Sequence, residues 1–583
     1  MSSATSFETS IASKNNKADP ATLSAIIRTA RGENNASLVL KNIRYLNVFT
    51  GEWLRGDIAV CGGFIAGIGT YRGETEIDGA ALTCVPGFID GHIHLESAMV
   101  TPPMFARAVV PHGTTAVIAD PHEIANVLGA AGIDYMLDAT QNLPLDVFFM
   151  LPSCVPASPF DENGAVLTNS DLQKLLAHPR VLGLGEMMDY PGVCNASAGP
   201  LEKIAGALSA NKCVDGHAPG LTGRDLNAYI SAGIKTDHEC VAAEEAMEKL
   251  RLGQWVMIRE GTAGKNLSAL MPLFAKPFAA RCLLVTDDKH PGDLLGLGHI
   301  DHMVRKAISL GADPALAYTM ASHNAAQCFS LHHLGALAPG YQADFLLLSD
   351  VDTVSIHSVY KAGRRVAVGG ALADTPEAVP VPMALGQVRI GKITGASFSQ
   401  GRARVIGLVP GELLTTDEGC VDQADPARDI VKIAVIERHH NTGHIGRAYL
   451  AGYGLKAGAV ALSVAHDAHN LITAGVNDSD MALAVNRIAQ MGGGMAVVRD
   501  GQILGELPLP IAGLMSPLSA KDTAAALAHL IDAARALGVS PGIDPFMTLS
   551  FVSLPVIPAL RLTTFGVVEA PKNSLPYYEN FVT

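Results

Sequence analysis

The sequence predicts an α/β fold built around a TIM (β/α)8 barrel over residues 85–333, with a C-terminal α/β domain over residues 388–583. In the barrel region, apolar runs alternate with segments of helical pattern, which indicates parallel βα units. These runs end near His94, Asp120, Cys154, Met188, His217, Cys240, Gly261 and Asp288. Eight such units in about two hundred residues match the size of a TIM barrel.

The regions on either side of the barrel contain shorter elements. Residues 1–35 form a polar extension, in which we expect about the first 20 residues to be disordered and residues 21–31 to form a short helix. Glycine-punctuated β runs follow at residues 38–40, 45–48, 57–60 and 64–69, and β character returns at residues 334–348. After a linker predicted at residues 376–382, we expect strands at residues 430–437 and 459–464 and helices at residues 481–490 and 520–537.

Composition limits the partners of the chain. Its formal net charge of -14 over 583 residues argues against a nucleic-acid backbone as the main partner. Hydrophobic residues make up 48%, but no apolar run reaches the ~18 residues that a membrane helix needs, and the N-terminus lacks a secretory signal. Nine cysteines without a C-x-x-C motif favour reduced thiols. We therefore expect a cytoplasmic protein without nucleic-acid or membrane partners.

The stretch P-G-F-I-D-G-H-I-H at residues 86–94 carries the strongest chemical signal. Side chains alternate along a strand, so His92 and His94 should point the same way. Two imidazoles on one face can bind one metal ion. The active site of a TIM barrel lies at the C-terminal ends of its strands, which is where this pair falls.

Four more candidate ligands end other predicted barrel strands. Strand four ends at Glu186, strand five at His217, strand six at His238 and strand eight at Asp287. Imidazole and carboxylate groups suit zinc, manganese and iron alike. One such histidine alone would more often be structural, but six candidates fall in order at predicted strand ends, which favours a metal centre.

This order of ligands, together with the P-G-F-I-D-G-H-I-H stretch, resembles the binuclear metal pattern of the amidohydrolase superfamily. In that pattern one group bridges two ions, and Glu186 occupies the place of the carbamylated lysine of many relatives. The resemblance also implies a small β-sandwich domain that residues 36–84 and 334–380 build together.

The segment after strand two, Asp120-Pro121-His122-Glu123, allows two interpretations. In the first it is a helix N-terminus, with Asp120 as N-cap, Pro121 at the first helical position and Glu123 in the capping-box position. In the second, Asp120, His122 and Glu123 join the site as extra ligands or as groups that orient the ligands. The sequence does not choose between them.

Longer segments narrow the resemblance to the bacterial-type adenine deaminase family. They are D-P-H-E-I-A-N-V at residues 120–127, G-E-M-M at residues 185–188, H-A-P-G-L-T-G-R-D-L-N-A-Y at residues 217–229 and S-V-A-H-D-A-H-N at residues 463–470. The resemblance covers about residues 20–575. It implies hydrolysis of adenine to hypoxanthine and ammonia with two divalent ions, Mn²⁺ or Fe²⁺, and Zn²⁺ suits the same ligands.

The resemblance also implies roles for particular residues. The metal ions would supply a hydroxide that attacks C6 of adenine, and Asp287 would carry its proton to the leaving group. Either Glu123 or Asp288 would protonate a ring nitrogen. In the C-terminal domain, His466 and His469 either bind metal or close over a pocket, or else they belong to a polar loop that stabilises its own domain. We expect a homo-oligomer.

Two other functions fit part of the sequence. Another amidohydrolase, acting on a cyclic amide or an N-acetyl sugar, would use the same ligands, although the C-terminal domain argues against it. A non-catalytic scaffold on the same barrel would usually lose metal ligands, and all of them are present here. The sequence excludes an H-E-x-x-H site, because residue 126 is Asn126, and it lacks the P-C-x-x-C half of the editing deaminases.

Overall fold

The computed structural model describes residues 19–373, 382, 385–386, 388–570 and 581–582. Most of the start predicted to be disordered, and the predicted linker apart from Pro382, lie outside the described residues. The predicted N-terminal helix is confirmed as Pro20–Ala30. Asp19 caps it by accepting the N–H of Thr22 at 3.0 Å, with proline at the first helical position.

A nine-stranded sheet joins the two flanks of the barrel region. Antiparallel pairing of Phe345 with Pro86 and of Leu348 with Thr83 brings the chain back to its N-terminal strands. The β character predicted over residues 334–348 begins only at Phe345. The strands are Ala36–Asn47, Glu52–Cys61, Phe64–Gly69, Gly73–Asp78, Thr83–Pro86, Phe345–Asp350, Ser355–Lys361, Arg364–Val368 and Ala371–Leu372.

The two short strands predicted at residues 38–40 and 45–48 are one strand, so their predicted boundaries are wrong. Pairing with the next strand shifts between Leu40 and Ile43, where Asn42 has a φ of 51°. Asparagine tolerates this left-handed conformation, and its N–H donates to Oδ1 of Asp57 at 2.8 Å. A β-bulge, and not a turn, therefore interrupts the pattern.

Two parallel sheets, one of five strands and one of three, form the barrel region. We number their strands one to eight in chain order, and each ends just before the position predicted for it. Neighbours in the chain are also neighbours in each sheet. The strands are Phe88–Ile93, Thr114–Ala119, Asp146–Leu151, Val181–Met187 and Cys213–Gly216 in the first sheet, and Thr236–Asp237, Trp255–Arg259 and Cys282–Val285 in the second.

Strand eight lies beside strand one, so the parallel strands form a curled sheet. Ile93 and Asp287 form a parallel bridge, and the N–H of Asp287 donates to the carbonyl of His92 at 3.0 Å. The buried carboxylate of Asp90 strengthens this seam by accepting the N–H groups of His92 (3.2 Å) and Thr286 (3.1 Å). The residues that follow strands one and eight are thereby held together.

Helices connect the parallel strands, as the alternating pattern predicts. Their apolar residues, such as Ile133, Leu226 and Val304, are buried in one core with the strands. None of the described helices is long and apolar enough to cross a membrane. The helices of this region are Pro102–Val109, His122–Leu128, Ala130–Ala139, Asn169–Leu176, Tyr190–Cys194, Ala198–Ser209, Gly223–Ser231, Ala243–Arg251, Pro291–Gly296, Ile300–Ser309, Pro314–Met320 and His323–Cys328.

The C-terminal region contains a largely antiparallel sheet of eight strands. Its predicted strands and helices are confirmed, with slightly different ends. The strands are Ala403–Leu408, Thr415–Val421, Ile430–Ile436, Ile445–Ala451, Ala459–Leu462, Leu471–Gly475, Gly494–Arg499 and Gln502–Pro508. The helices are Asp478–Met491, Ala520–Ala536 and Met547–Val552, and a three-stranded sheet of Leu560–Thr563, Gly566–Glu569 and Phe581–Val582 follows.

The C-terminal region packs on the segment that follows strand one. Val100 and Ser516 form a parallel bridge, and the N–H of Ser516 donates to the carbonyl of Met99 at 2.8 Å. Met99 is buried in the same apolar cluster as Leu462 and Ile472 of the C-terminal sheet. C-terminal residues therefore cover the edge of the curled sheet where strand one ends.

A buried lysine ties the ends of strands five and six together. The Nζ of Lys249 donates to the carbonyl of Ala218 at 2.8 Å and to Asp237 at 2.5 Å, and its side chain is 0% exposed. Asp237 also accepts the N–H of Ala218 at 2.9 Å. Because Ala218 follows His217 and Asp237 precedes His238, this ion pair sets the spacing of the two histidines.

Replacing Lys249 with methionine should destabilise the protein by about 3–5 kcal/mol, because the carboxylate of Asp237 would stay buried without its cation. We expect a lower urea midpoint by far-ultraviolet circular dichroism. The matched control is Lys174→Met, which breaks an exposed pair with Asp171 and should cost about 0–1 kcal/mol. Equal midpoints for the two variants would contradict a stabilising role for the Lys249 pair.

Candidate metal centre

The two histidines of strand one point into one buried cluster, as their spacing predicts. Nε2 of His94 lies 3.2 Å from Oε1 of Glu186 and 3.0 Å from Oδ1 of Asp287. Nε2 of His92 lies 3.8 Å and 3.7 Å from the same two oxygens. The ends of strands one, four and eight therefore meet at one point.

Glu186 is the centre of the cluster and uses both carboxylate oxygens. Its Oε1 faces His94 and also lies 3.3 Å from Nδ1 of His122. Its Oε2 lies 2.7 Å from Nδ1 of His217 and 3.3 Å from Nε2 of His238. One carboxylate thus has a separate group of histidines on each oxygen, which is the geometry of a group shared by two sites.

The donor atoms of this cluster fit divalent ions. All six predicted ligands contribute to it: His92, His94, Glu186, His217, His238 and Asp287. Both ring nitrogens of His92 are buried and have no hydrogen-bond partner among the described residues. Its Nε2 is too far from the two carboxylates for a hydrogen bond. A divalent ion held by these donors would satisfy all three groups.

Burial and pairing with histidines shift the pKa values of the carboxylates of the cluster in opposite directions. Burial alone would raise the pKa of Glu186, but the surrounding histidines hold it well below its usual range. Asp120 accepts the backbone N–H of Glu186 at 3.1 Å, and burial raises the pKa of Asp120 to about 6. Glu186 is therefore the anionic centre of the cluster, and Asp120 positions its backbone.

The segment after strand two belongs to this cluster, and the interpretation of Asp120 as a helix cap is wrong. The helix begins at His122, and the side chain that accepts an N–H of its first turn is Glu96, which accepts the N–H of Ile124 at 3.1 Å. Asp120 turns towards strand four and Glu186, so its carboxylate does not reach the helix N-terminus. Glu123 does not form a capping box and instead lies 3.3 Å from Nε2 of His122.

Arg259 and Glu239 belong to the cluster but were not identified from the sequence. The guanidinium of Arg259 contacts Oδ2 of Asp287 at 2.5 Å and donates to both oxygens of Glu239, which lies 3.3 Å from His238. Burial works against a charge on Asp287, but Arg259 and His94 hold its pKa well below its usual range. The sequence did contain a signal for both residues, because both lie at the C-terminal ends of barrel strands, where active-site residues are found. Glu239 directly follows the predicted ligand His238, and Arg259 ends strand seven.

Two histidines of the C-terminal region reach the cluster through Glu123. Nδ1 of His466 lies 2.8 Å from Oε1 of Glu123, and Nε2 of His469 contacts Oε2. Burial works against a charge on His466, but Glu123 raises its pKa to about 9. Burial lowers the pKa of His469 to about 4. This segment therefore contacts the barrel region and does not only stabilise its own domain.

A cavity opens beside the cluster, between the barrel region and the C-terminal region. Asp288 of the barrel region lines it, and so do His466 and Phe551 of the C-terminal region. Donor atoms of Asp288 also lie within 4.8 Å of those of His94 and Asp287. A small molecule in this cavity would lie next to the cluster and would touch Asp288.

Known proteins are similar to the chain over nearly its whole length. Adenine deaminase 2 of Carboxydothermus hydrogenoformans is 49% identical over 556 residues, which are 93% of this chain and 97% of that relative. The chain belongs to the adenine deaminase family. Another family member, adenine deaminase of Nitratidesulfovibrio vulgaris strain Hildenborough, is 46% identical over 562 residues, covering 94% of this chain and 97% of the relative.

Family models divide the chain in the same way. The amidohydrolase family model matches residues 83–366, and the model of the adenine deaminase C-terminal domain matches residues 411–574. The solved structure of enamidase, a member of the amidohydrolase superfamily, is 17% identical with a TM-score of 0.44 over 59% of this chain and 98% of enamidase. The family models and the two relatives confirm the resemblance to the adenine deaminase family that the sequence motifs indicate. With its curled parallel sheet, the chain has the amidohydrolase-superfamily fold.

We expect this member of the adenine deaminase family to contain about two divalent ions per chain. His238→Ala should lower the metal content, because it removes one of the two histidine nitrogens that lie against Oε2 of Glu186. Elemental analysis of purified protein, with circular dichroism to check folding, measures this. The control is His529→Ala, which removes an exposed histidine outside the cluster and should leave the metal content unchanged. Equal metal content in the two variants would contradict the assignment of His238.

Proposed function

We propose that this chain hydrolyses adenine to hypoxanthine and ammonia. Two facts support the proposal together: the predicted ligands converge on one buried cluster, and the chain is 49% identical to a protein named adenine deaminase. The convergence carries the proposal, because a chain that had lost the reaction would not need six donors in one buried cluster.

We also propose the domain organisation of the enzyme. The curled sheet would be a closed (β/α)8 barrel over residues 85–333, flanked by a β-sandwich of residues 36–84 and 334–380. Residues 1–35 would be an extension, and residues 388–583 a C-terminal α/β domain. All nine cysteines are free, which supports a cytoplasmic location. A homo-oligomer without nucleic-acid or membrane partners stays a prediction from the sequence.

Six residues would hold two divalent ions: His92, His94, Glu186, His217, His238 and Asp287. Glu186 would serve both ions, because different histidines lie against its two oxygens. Mn²⁺ or Fe²⁺ fits this set of nitrogen and oxygen donors, and so does Zn²⁺. When bound, such ions lower the pKa of water so that hydroxide is available near neutral pH.

Asp287 is the residue that would move a proton. Its Oδ1 lies 3.0 Å from Nε2 of His94, and its Oδ2 is held by Arg259 at 2.5 Å. A carboxylate fixed in this way can accept a proton from the attacking water and pass one to the departing amino group. Arg259 would keep the carboxylate oriented during both transfers.

Asp288 is better placed than Glu123 to protonate a ring nitrogen of the substrate. Asp288 lines the cavity, whereas Glu123 is only 2% exposed and lies among His122, His466 and His469. A proton on the ring prevents negative charge from building up on the purine during attack. Glu123 would then orient the neighbouring histidines without touching the substrate.

Hydrolysis by metal-loaded protein tests the proposed function, and it is measured as released ammonia for the purines, as the newly formed carboxylate for the cyclic amide and as released acetate for the N-acetyl sugar. The panel contains adenine, adenosine, guanine, a cyclic amide and an N-acetyl sugar, and we expect adenine to have the highest kcat/KM. The last two compounds represent other reactions that the same ligands can support. Faster hydrolysis of either of them, or no turnover of adenine, would overturn the proposal.

Asp287→Asn should lower kcat by at least ~100-fold, because the amide keeps the size of the side chain but cannot carry the proton. Steady-state deamination of adenine measures the effect. Asp313→Asn is the matched control, since Asp313 caps a helix by accepting the N–H of Leu316 at 3.2 Å and asparagine is also a good N-cap. Near-normal kcat for Asp287→Asn would remove Asp287 from this role.

A further inference from the structure

The cavity beside the cluster has one wall from the C-terminal region. Phe551 lies on this wall, and its ring stacks on that of His466 with centroids 4.7 Å apart and planes tilted by 22°. Asp288 also lines the cavity, together with apolar side chains such as Leu462 and Met495. An apolar lining with a few polar groups suits a flat polar ring.

A metal ion is one explanation for the contacts among Glu123, His466 and His469, whose donor atoms lie within 4.8 Å of one another. The environment of His469 argues against it. Nδ1 of His469 accepts the backbone N–H of Ala465 at 3.2 Å. A neutral imidazole that accepts at one nitrogen carries its hydrogen on the other. His469 therefore donates from Nε2 to Glu123, which leaves fewer donors than a metal site uses.

His466 differs from His469 because one of its nitrogens has no protein partner. Its Nδ1 lies 2.8 Å from Glu123, but its Nε2 has no hydrogen-bond partner among the described residues. The residue is only 8% exposed, and the cavity is the space that it lines. Buried polar atoms are normally hydrogen-bonded. A ligand in the cavity would supply the missing partner.

We propose that Nε2 of His466 recognises a ring nitrogen of the bound purine base, and that Phe551 and Glu123 hold the imidazole in place for this contact. The C-terminal domain then contributes a specificity residue to a site whose ligands all come from the barrel. This inference rests on the proposed function only for the identity of the ligand. The position of His466 beside the cavity does not depend on that identity.

Deaza analogues of adenine test the contact. In 1-deazaadenine, 3-deazaadenine and 7-deazaadenine, a C–H group replaces one ring nitrogen. Metal-loaded wild-type protein should bind the analogue that lacks the partner of His466 about tenfold more weakly than adenine, as expected for one lost hydrogen bond. In His466→Phe, which keeps an aromatic ring beside Phe551, this penalty should disappear. Calorimetric titration measures the affinities in the Asp287→Asn background, in which adenine is hydrolysed at least ~100-fold more slowly.

His469→Gln is the matched control, because His469 contacts Glu123 but does not line the cavity. It should lower kcat and still show the same penalty as wild type for that analogue. If His466→Phe does not fold, His466→Leu makes the same test. A penalty that persists in the folded His466 variant overturns the inference. Wild-type protein that binds the analogues as expected but releases no ammonia from adenine would overturn only the proposed function.

Discussion

The buried carboxylate of Glu186 is the interaction on which the rest of the site depends. An anion removed from water costs several kcal/mol unless cations or hydrogen-bond donors surround it. Histidines 94 and 122 lie against one oxygen and histidines 217 and 238 against the other, so four separate chain segments must meet around Glu186. A fold that separated these segments would leave the charge uncompensated. Compensation of the charge on Glu186 and burial of the apolar core therefore both favour the same arrangement of strands.

Buried polar contacts behind the cluster keep the strand ends at the required spacing. Asp90 joins strands one and eight, and Lys249 joins the ends of strands five and six through Asp237. Arg259 connects strand seven to Asp287. None of these three groups needs to touch a substrate to affect the reaction, because small shifts of a donor atom change how well it binds an ion. They explain why polar residues occur inside an otherwise apolar core.

The C-terminal region turns the open edge of the curled sheet into an enclosed site. It is anchored where Ser516 meets Met99, and it brings His466 and Phe551 to the cavity and His469 to Glu123. An enclosed cavity excludes bulk water and strengthens the electrostatic interactions within it. A small base offers little surface for binding, so the proposed contact with His466 would add affinity and selectivity to those that the barrel provides.

The sequence by itself determined the ends of the parallel strands and the six donors of the cluster, Glu186 among them, because hydrophobic periodicity and the order of ligand types are local properties. It did not reveal the bulge at Asn42 or the ion pair between Arg259 and Asp287. It also did not reveal that Asp120 points away from the helix that begins at His122. Only the tertiary structure decided these features, since each depends on a partner from another strand. The contact between Glu123 and His469 spans 346 positions of the chain. No local pattern predicts such a contact, because it exists only after two separately folded regions have packed together.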